Sequence, residues 1–140
     1  MTFKFLPDVA LADIAFEASS GSVDGLFETC ALAITDIMVD PKTLRATAEK
    51  KFDLAAESLD RLLYDFMTEL IVVKDVDSLL FAKFRVRVSP DGRTLSAVAK
   101  GETIDRSRHR LRNDVKAVTM HLFGIKRMEG RWKTTVVLDI

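Results

Sequence analysis

The chain holds a single cysteine, Cys30, and two histidines, His109 and His121, and that scarcity removes several classes of protein at once. One thiol excludes an intramolecular disulfide, and with so few imidazoles a thiolate zinc site cannot be assembled. Any metal held here would be bound by oxygen. Glycine is also sparse: Gly21, Gly25, Gly92, Gly101, Gly124 and Gly130 stand singly, which leaves no Walker or Rossmann phosphate loop. No serine or cysteine sits in a nucleophile-elbow setting, so no catalytic triad is readable, and an enzyme acting alone is not expected. Apolar runs stop well short of the ~20 residues that span a membrane. Met1 to Phe5 alternate apolar and polar instead of forming the basic and apolar regions of a signal peptide, so a cytoplasmic protein is expected. Net charge is missing too, because 21 Lys plus Arg balance 21 Asp plus Glu. The chain as a whole therefore offers no field for tight non-specific nucleic-acid binding, and a partner must be recognised locally.

What remains is a globular composition, 48% apolar and 30% charged over 140 residues. That length fits one domain, 1–140, able to bury roughly two thirds of its unfolded surface without staples. Phe3 and Phe5 alternate in a first short strand that Pro7-Asp8 ends. Asp13 to Ala18 forms a second, with Ile14 and Phe16 on one face and Asp13 on the other. Ser22 or Asp24 is suited to cap a helix whose stripe runs through Val23, Leu26, Phe27, Cys30, Ile34, Ile37 and Met38. Cys30 lies within that stripe and reads as a small buried hydrophobe, not a reactive thiol. Asp40-Pro41 ends the helix, and Leu44 to Phe52 carries a weaker strand pattern.

A second helix starts near Ser58 and keeps helical period through Leu59, Leu62, Leu63, Phe66, Met67, Leu70 and Ile71. Its Asp60, Arg61, Asp65 and Glu69 read as a solvated face. From Leu80 the chain alternates to Val88, turns through Ser89-Pro90-Asp91-Gly92-Arg93, and returns as Leu95 to Lys100. Gly101 to Arg112 breaks the pattern. Val115 to Lys126 is a long strand, and Met128-Glu129-Gly130-Arg131 turns it into a last strand that reaches Ile140. With no repeat and no linker, the pattern predicts an α+β single domain: a mainly antiparallel sheet with two helices packed on one face.

Two charge clusters invite chemistry. The segment Asp105-Arg106-Ser107-Arg108-His109-Arg110-Leu111-Arg112, followed by Lys116, concentrates basic residues, but no aromatic is interleaved to stack bases. A solvated loop is therefore the better reading than direct RNA binding. The other cluster is acidic. The last strand carries Asp139 next to the carboxylate of Ile140, two anionic groups that repel on rigid backbone unless a cation sits between them. Asp13 and, further off, Asp8 are candidate additions. Spacing alone does not pair the two ends of the chain. Such oxygens suit a hard divalent cation, Ca²⁺ or Mg²⁺, with waters completing the shell.

Leu11-Ala12-Asp13-Ile14-Ala15, Leu26-Phe27-Glu28, Ala31-Leu32-Ala33, Leu59 to Leu70, Leu79-Leu80-Phe81, Asp114 to His121 and the terminal Val137-Leu138-Asp139-Ile140 together resemble the archease family. The first and last two stretches are the specific ones. The resemblance implies a divalent-metal site (Ca or Mg) built from Asp13, Asp139 and the terminal carboxylate of Ile140, and no catalysis of its own. It also implies a role as activator of tRNA-splicing RNA ligase, a GTP-dependent enzyme that the protein would help to guanylylate itself and turn over. The family pattern places His-Thr just before Ala-Asp, where this chain has Ala10 and Leu11. The rival expectation is a general protein chaperone or assembly module with a structural metal site and no part in RNA ligation.

Overall fold

The computed structural model describes residues 2–6 and 13–140. The turn expected at Pro7-Asp8 lies outside them. Helix α1 (Val23–Met38) starts where predicted, because Ser22 is extended and its hydroxyl accepts the Gly25 N–H at 3.0 Å. Its stripe is buried from Leu26 to Met38, with Val23 half-buried in the first turn. After Met38 the chain leaves the helix, and Asp40 caps a short 3-10 turn (Pro41–Thr43) by accepting from Lys42 N–H at 3.0 Å. Helix α2 (Leu59–Asp77) is capped in the same way by Ser58, which accepts from Arg61 N–H at 3.1 Å. It runs beyond Ile71 because Val73 and Lys74 are also buried. Ser78, at φ 55°, ends it in the left-handed conformation.

Lys74 explains that extra length. Its ammonium pairs with Asp75 at 2.9 Å and with Asp114, and donates to the Val115 carbonyl at 2.7 Å. Burial pulls the Lys74 pKa down, but the hydrogen bonds and charges of Asp114 and Asp75 outweigh it and hold the group above its ordinary value. The last turns of α2 are thereby tied to the entry of the sixth strand.

Among the described residues seven strands form two antiparallel sheets. One runs β1 (Thr2–Phe5), β2 (Asp13–Ser20), β7 (Arg131–Asp139), β6 (Ala117–Met128); the other runs β3 (Ala48–Ala55), β5 (Thr94–Thr103), β4 (Leu79–Val88). The α+β class, antiparallel pairing and two helices follow the sequence pattern, while the division into two sheets is a refinement with a visible cause. The open edge of β4 is occupied by α1: Val86 N–H donates to Glu28 Oε2 at 2.9 Å, Val88 N–H to Asp24 Oδ1 at 2.8 Å, and Thr35 Oγ1 donates to the Phe81 carbonyl at 2.8 Å. With its edge groups spent on a helix, β4 cannot extend the other sheet. Asp60, expected on a solvated face, acts similarly on β6 by accepting from Ile125 N–H at 3.1 Å. The remaining helix charges agree with expectation, as Arg61 and Asp65 pair at 3.0 Å one turn apart.

Between the layers, Phe27, Phe66, Phe52, Phe81 and Phe84 touch in sequence at centroid separations of 6.0–6.1 Å, joining α1, α2, β3 and β4. The β4–β5 and β6–β7 hairpins have the turns their residues demand. Gly92 (φ 72°) lies in the β4–β5 turn, and Glu129 (φ 54°) with Gly130 (φ 76°) makes the two-residue β6–β7 turn. Among the described residues no helix is long and apolar enough to cross a membrane.

Gly101 sits beside the register shift of β4 between Phe81 and Lys83, where a Cβ would lie 1.8 Å from the Leu80 carbonyl oxygen. Gly101→Ala should therefore lower unfolding free energy by at least about 2 kcal/mol. Gly124→Ala, with nothing within 4 Å of the added carbon, should be neutral or stabilising by up to about 1 kcal/mol. Denaturant melts of the two variants make the comparison.

Candidate functional site

The two ends of the described chain meet in the first sheet. β2 and β7 pair with Asp13 opposite Asp139, Ala15 opposite Val137 and Glu17 opposite Thr135. Directly paired residues project from the same face, with Cβ atoms about 4.5–5.5 Å apart. The alternate face carries Phe16, Ala18, Val136 and Leu138, all fully buried, and Ala15 and Val137 on the aspartate face are buried too, so Asp13, half-buried, and Asp139, exposed, stand where that second face opens at the strand end. On its other edge Asp139 is opposite Ala117 of β6, and Lys116 N–H donates to the Asp139 carbonyl at 2.8 Å. Ile140 is half-buried and its side chain packs against the core. The backbone at Asp139 is therefore held from two sides.

Charge sharpens the picture. Like charges directly opposite each other on a sheet destabilise it. Neither Asp13 nor Asp139 has a basic partner within ion-pair distance among the described residues, although acids nearby do: Arg112 pairs with Asp36 at 3.2 Å and reaches Asp40 at 4.0 Å. Asp36, Arg112 and Asn113 line a cavity of about 370 Å³ together with Asp13, Phe5 and Ile37. Among the described residues no three His, Cys, Asp or Glu side chains converge as a metal-holding group. What the strand end offers is two side-chain carboxylates opposite each other, next to Ile140. Asp8, and Ala10 and Leu11 where the family pattern has His-Thr, lie outside the described residues.

The basic segment is not the free loop that its composition suggests. Arg108 pairs with the buried Glu102 and donates to the Thr43 carbonyl at 3.3 Å, and Arg112 donates to the Asp36 carbonyl at 2.8 Å. His109 is buried. Its Nδ1 accepts the Asp105 N–H at 2.8 Å, while Nε2 lies 2.9 Å from Glu102 Oε1, off the line that a hydrogen bond requires. Burial, then the positive charge of Arg108, pushes the His109 pKa down, with Arg45 adding to the effect and Asp105 opposing it. A protonated Nδ1 would also forfeit the Asp105 contact. Sequence reasoning missed this Glu102–Arg108–His109 knot because Glu102 falls where the strand pattern fades. His121, by contrast, is exposed on β6. Cys30 is fully buried, and burial pushes its thiol well above the ordinary range, as a packing residue requires.

The class these features define is a small α+β protein of two antiparallel sheets and two helices, with an acidic strand end in place of a nucleotide loop. The chain belongs to the archease family: the Archease protein family (MTH1598/TM1083) model matches residues 3–140. Protein archease of Methanothermobacter thermautotrophicus is 36% identical over 131 residues, covering 92% of this chain and 93% of that one. Protein archease of Pyrococcus abyssi is 33% identical over 132 residues, with 92% and 93% covered. Among solved structures, the solution structure of Methanobacterium thermoautotrophicum protein 1598 superposes with a TM-score of 0.86 at 35% identity, covering 99% of this chain and 98% of that one. A Thermotoga maritima crystal structure described as an archease and possible chaperone shares the fold, with a TM-score of 0.66 at 22% identity and 96% of each chain covered.

The buried imidazole has a measurable consequence. With a folded pKa below the unfolded value of about 6.5, His109 contributes stability that is present above pH 6.5 and lost as pH falls through that window. Ring resonances should place His109 below 6.5. The stability difference between the native chain and His109→Gln should grow as pH rises from about 5 to 7; a flat difference would contradict a neutral buried ring.

Proposed function

We propose that the chain is a non-catalytic activator of a GTP-dependent tRNA-splicing RNA ligase, promoting guanylylation and multiple turnover of that enzyme. Its working site on this reading is an acidic divalent-metal centre of Asp13, Asp139 and the terminal carboxylate of Ile140. The observation that carries it is the β2–β7 register, which sets two carboxylates opposite each other without a basic partner among the described residues. Archease family membership supports the ligase as partner, and a cytoplasmic location goes with it.

The donor set fits a hard cation such as Ca²⁺ or Mg²⁺, which prefers carboxylate and water oxygens and tolerates an incomplete protein shell. When bound, the cation would supply positive charge suited to the phosphates of the ligase's nucleotide. The chain's own residues do the rest. β2 and β7 fix the two carboxylates on the sheet, so no loop has to order before the site exists. Ile140 packs its side chain on the core, and on this reading its terminal carboxylate joins the two aspartates. Arg112 neutralises Asp36 and Asp40 and keeps their charge from competing for the cation. The alternative, a general chaperone with a structural metal, draws on the description of the Thermotoga relative as a possible chaperone.

Asp13→Asn separates these readings through opposite signs. Without metal it should stabilise the fold by a few tenths of a kcal/mol, because it relieves a like-charge pair. With Ca²⁺ or Mg²⁺ at about 100 times the native Kd, the native chain should gain about 2.7 kcal/mol and the variant little. In ligation assays with purified ligase the variant should support a single turnover but not repeated ones. Intact stimulation by a metal-deficient, folded variant would make the metal structural, and no stimulation by the native chain would end the ligase reading. Adding a few flexible residues after Ile140 should weaken divalent-metal affinity in calorimetry, and an unchanged affinity would remove the carboxylate from the ligand set.

A further inference from the structure

We propose that the solvent face of the β3–β5–β4 sheet is a binding surface for the sugar-phosphate backbone of RNA. The three strands are in register so that Glu49, Lys100 and Lys83 form one row, Lys51, Val98 and Arg85 the next, and Asp53, Ser96 and Arg87 a third. Paired residues share a face. All nine are exposed except Val98, which is half-buried, and the alternate positions Phe52, Ala97, Ala99 and Val86 are in the core. This face therefore carries five cations against two carboxylates, on a chain whose charges balance overall. The carboxylates lie on the β3 edge. β4 is cationic at every outward position from Lys83 to Arg87, one charge every ~6.7 Å.

None of the five cations lies within ion-pair distance of a carboxylate among the described residues, in contrast to Arg108 and Arg112 of the basic loop. Unpaired cations on rigid strands are available to an external polyanion without first breaking an internal contact. Two classes of polyanion could use them, an acidic protein or RNA. A stable protein interface needs a desolvated apolar or aromatic centre, and this face offers only Val98. Backbone binding to nucleic acid needs cations alone, with Arg85 and Arg87 able to fork onto phosphate oxygens. The choice of RNA also rests on the proposed role beside an RNA ligase. Without an aromatic on the face to stack bases, binding should not depend on sequence.

The test uses the whole chain, without ligase or added metal, and a fluorescently labelled 20-nucleotide polyuridylate followed by anisotropy. Five phosphate contacts on a single strand predict an affinity that falls about 100-fold between 50 and 200 mM KCl. The triple variant Lys83→Gln, Arg85→Gln, Arg87→Gln should bind at least 10-fold more weakly at 50 mM and lose less than about 10-fold over the same range. Lys51→Gln with Lys100→Gln, on the other two strands, should weaken binding independently and guards against a folding defect on β4. Arg106→Gln with Arg110→Gln should leave affinity unchanged. Absence of salt-dependent binding, or binding as tight as the native chain's by both sheet variants, would overturn the proposal. So would displacement of the RNA by polyglutamate of the same length at equal concentration, which would assign the face to acidic proteins. Because no ligase is present, failure here leaves ligase activation standing, and failure of ligase stimulation by Asp13→Asn leaves this surface standing.

Discussion

The pairing of β2 with β7 is the constraint on which the rest depends. Its core face, Phe16 and Ala18 against Val136 and Thr134, is buried under α1, and a slip of one residue would exchange that face with the one that carries Asp13 and turn Asp13 into the core. Burying an unpaired carboxylate costs far more than the like-charge repulsion that the observed register tolerates. The hydrophobic core therefore dictates that two acids stand opposite each other at the strand end. The acidic site is a by-product of packing in its position, and its consequence is chemical: a place where positive charge lowers the free energy of the fold.

The second sheet is set by a different economy of hydrogen bonds. Asp24, Glu28 and Thr35 on one face of α1 take up the free edge of β4, and Asp60 of α2 takes up part of β6. Sheet edges are where chains mispair, and here helix side chains close two of them. Those carboxylates cannot also serve as ligands or as surface charge. Lys74 does the analogous work where α2 meets the start of β6, with a buried ammonium reaching both a carboxylate and a main-chain carbonyl.

Most of the fold was legible in sequence for reasons that are local. The stripes of α1 and α2, Ser22 and Ser58 as caps, and Gly92 and Gly130 in the turns are each decided within a few residues of chain. What escaped is non-local. Alternation says which residues face inward but not which strand lies alongside, so the split into two sheets and the opposition of Asp13 and Asp139 needed either the structure or a family resemblance. Asp60 has the pattern of a solvated residue because nothing in a helix reveals a strand edge 65 residues away. Glu102 was invisible as a site residue because its partners, Arg108, His109 and the main chain of Arg45, come from two separate segments.

The same distinction governs how the positive charge must be understood. In sequence the conspicuous basic cluster is 105–112, where arginines crowd together; in the fold Arg108 and Arg112 turn inward to Glu102 and Asp36 and hold the loop to β5 and α1. The cations of the β3–β5–β4 face are spread along the chain at Lys51, Lys83, Arg85, Arg87 and Lys100, each with an ordinary alternating neighbour, and only strand pairing assembles them. Crowding along the chain is a poor measure of field strength, because neighbouring like charges are the ones under most pressure to find internal counter-ions. Charges placed two residues apart on an exposed strand face stay in water at little cost and remain free. On that argument the cations most free to meet a polyanion are the ones that topology assembles, and the acidic strand end and the basic sheet face give a neutral chain two regions of opposite sign.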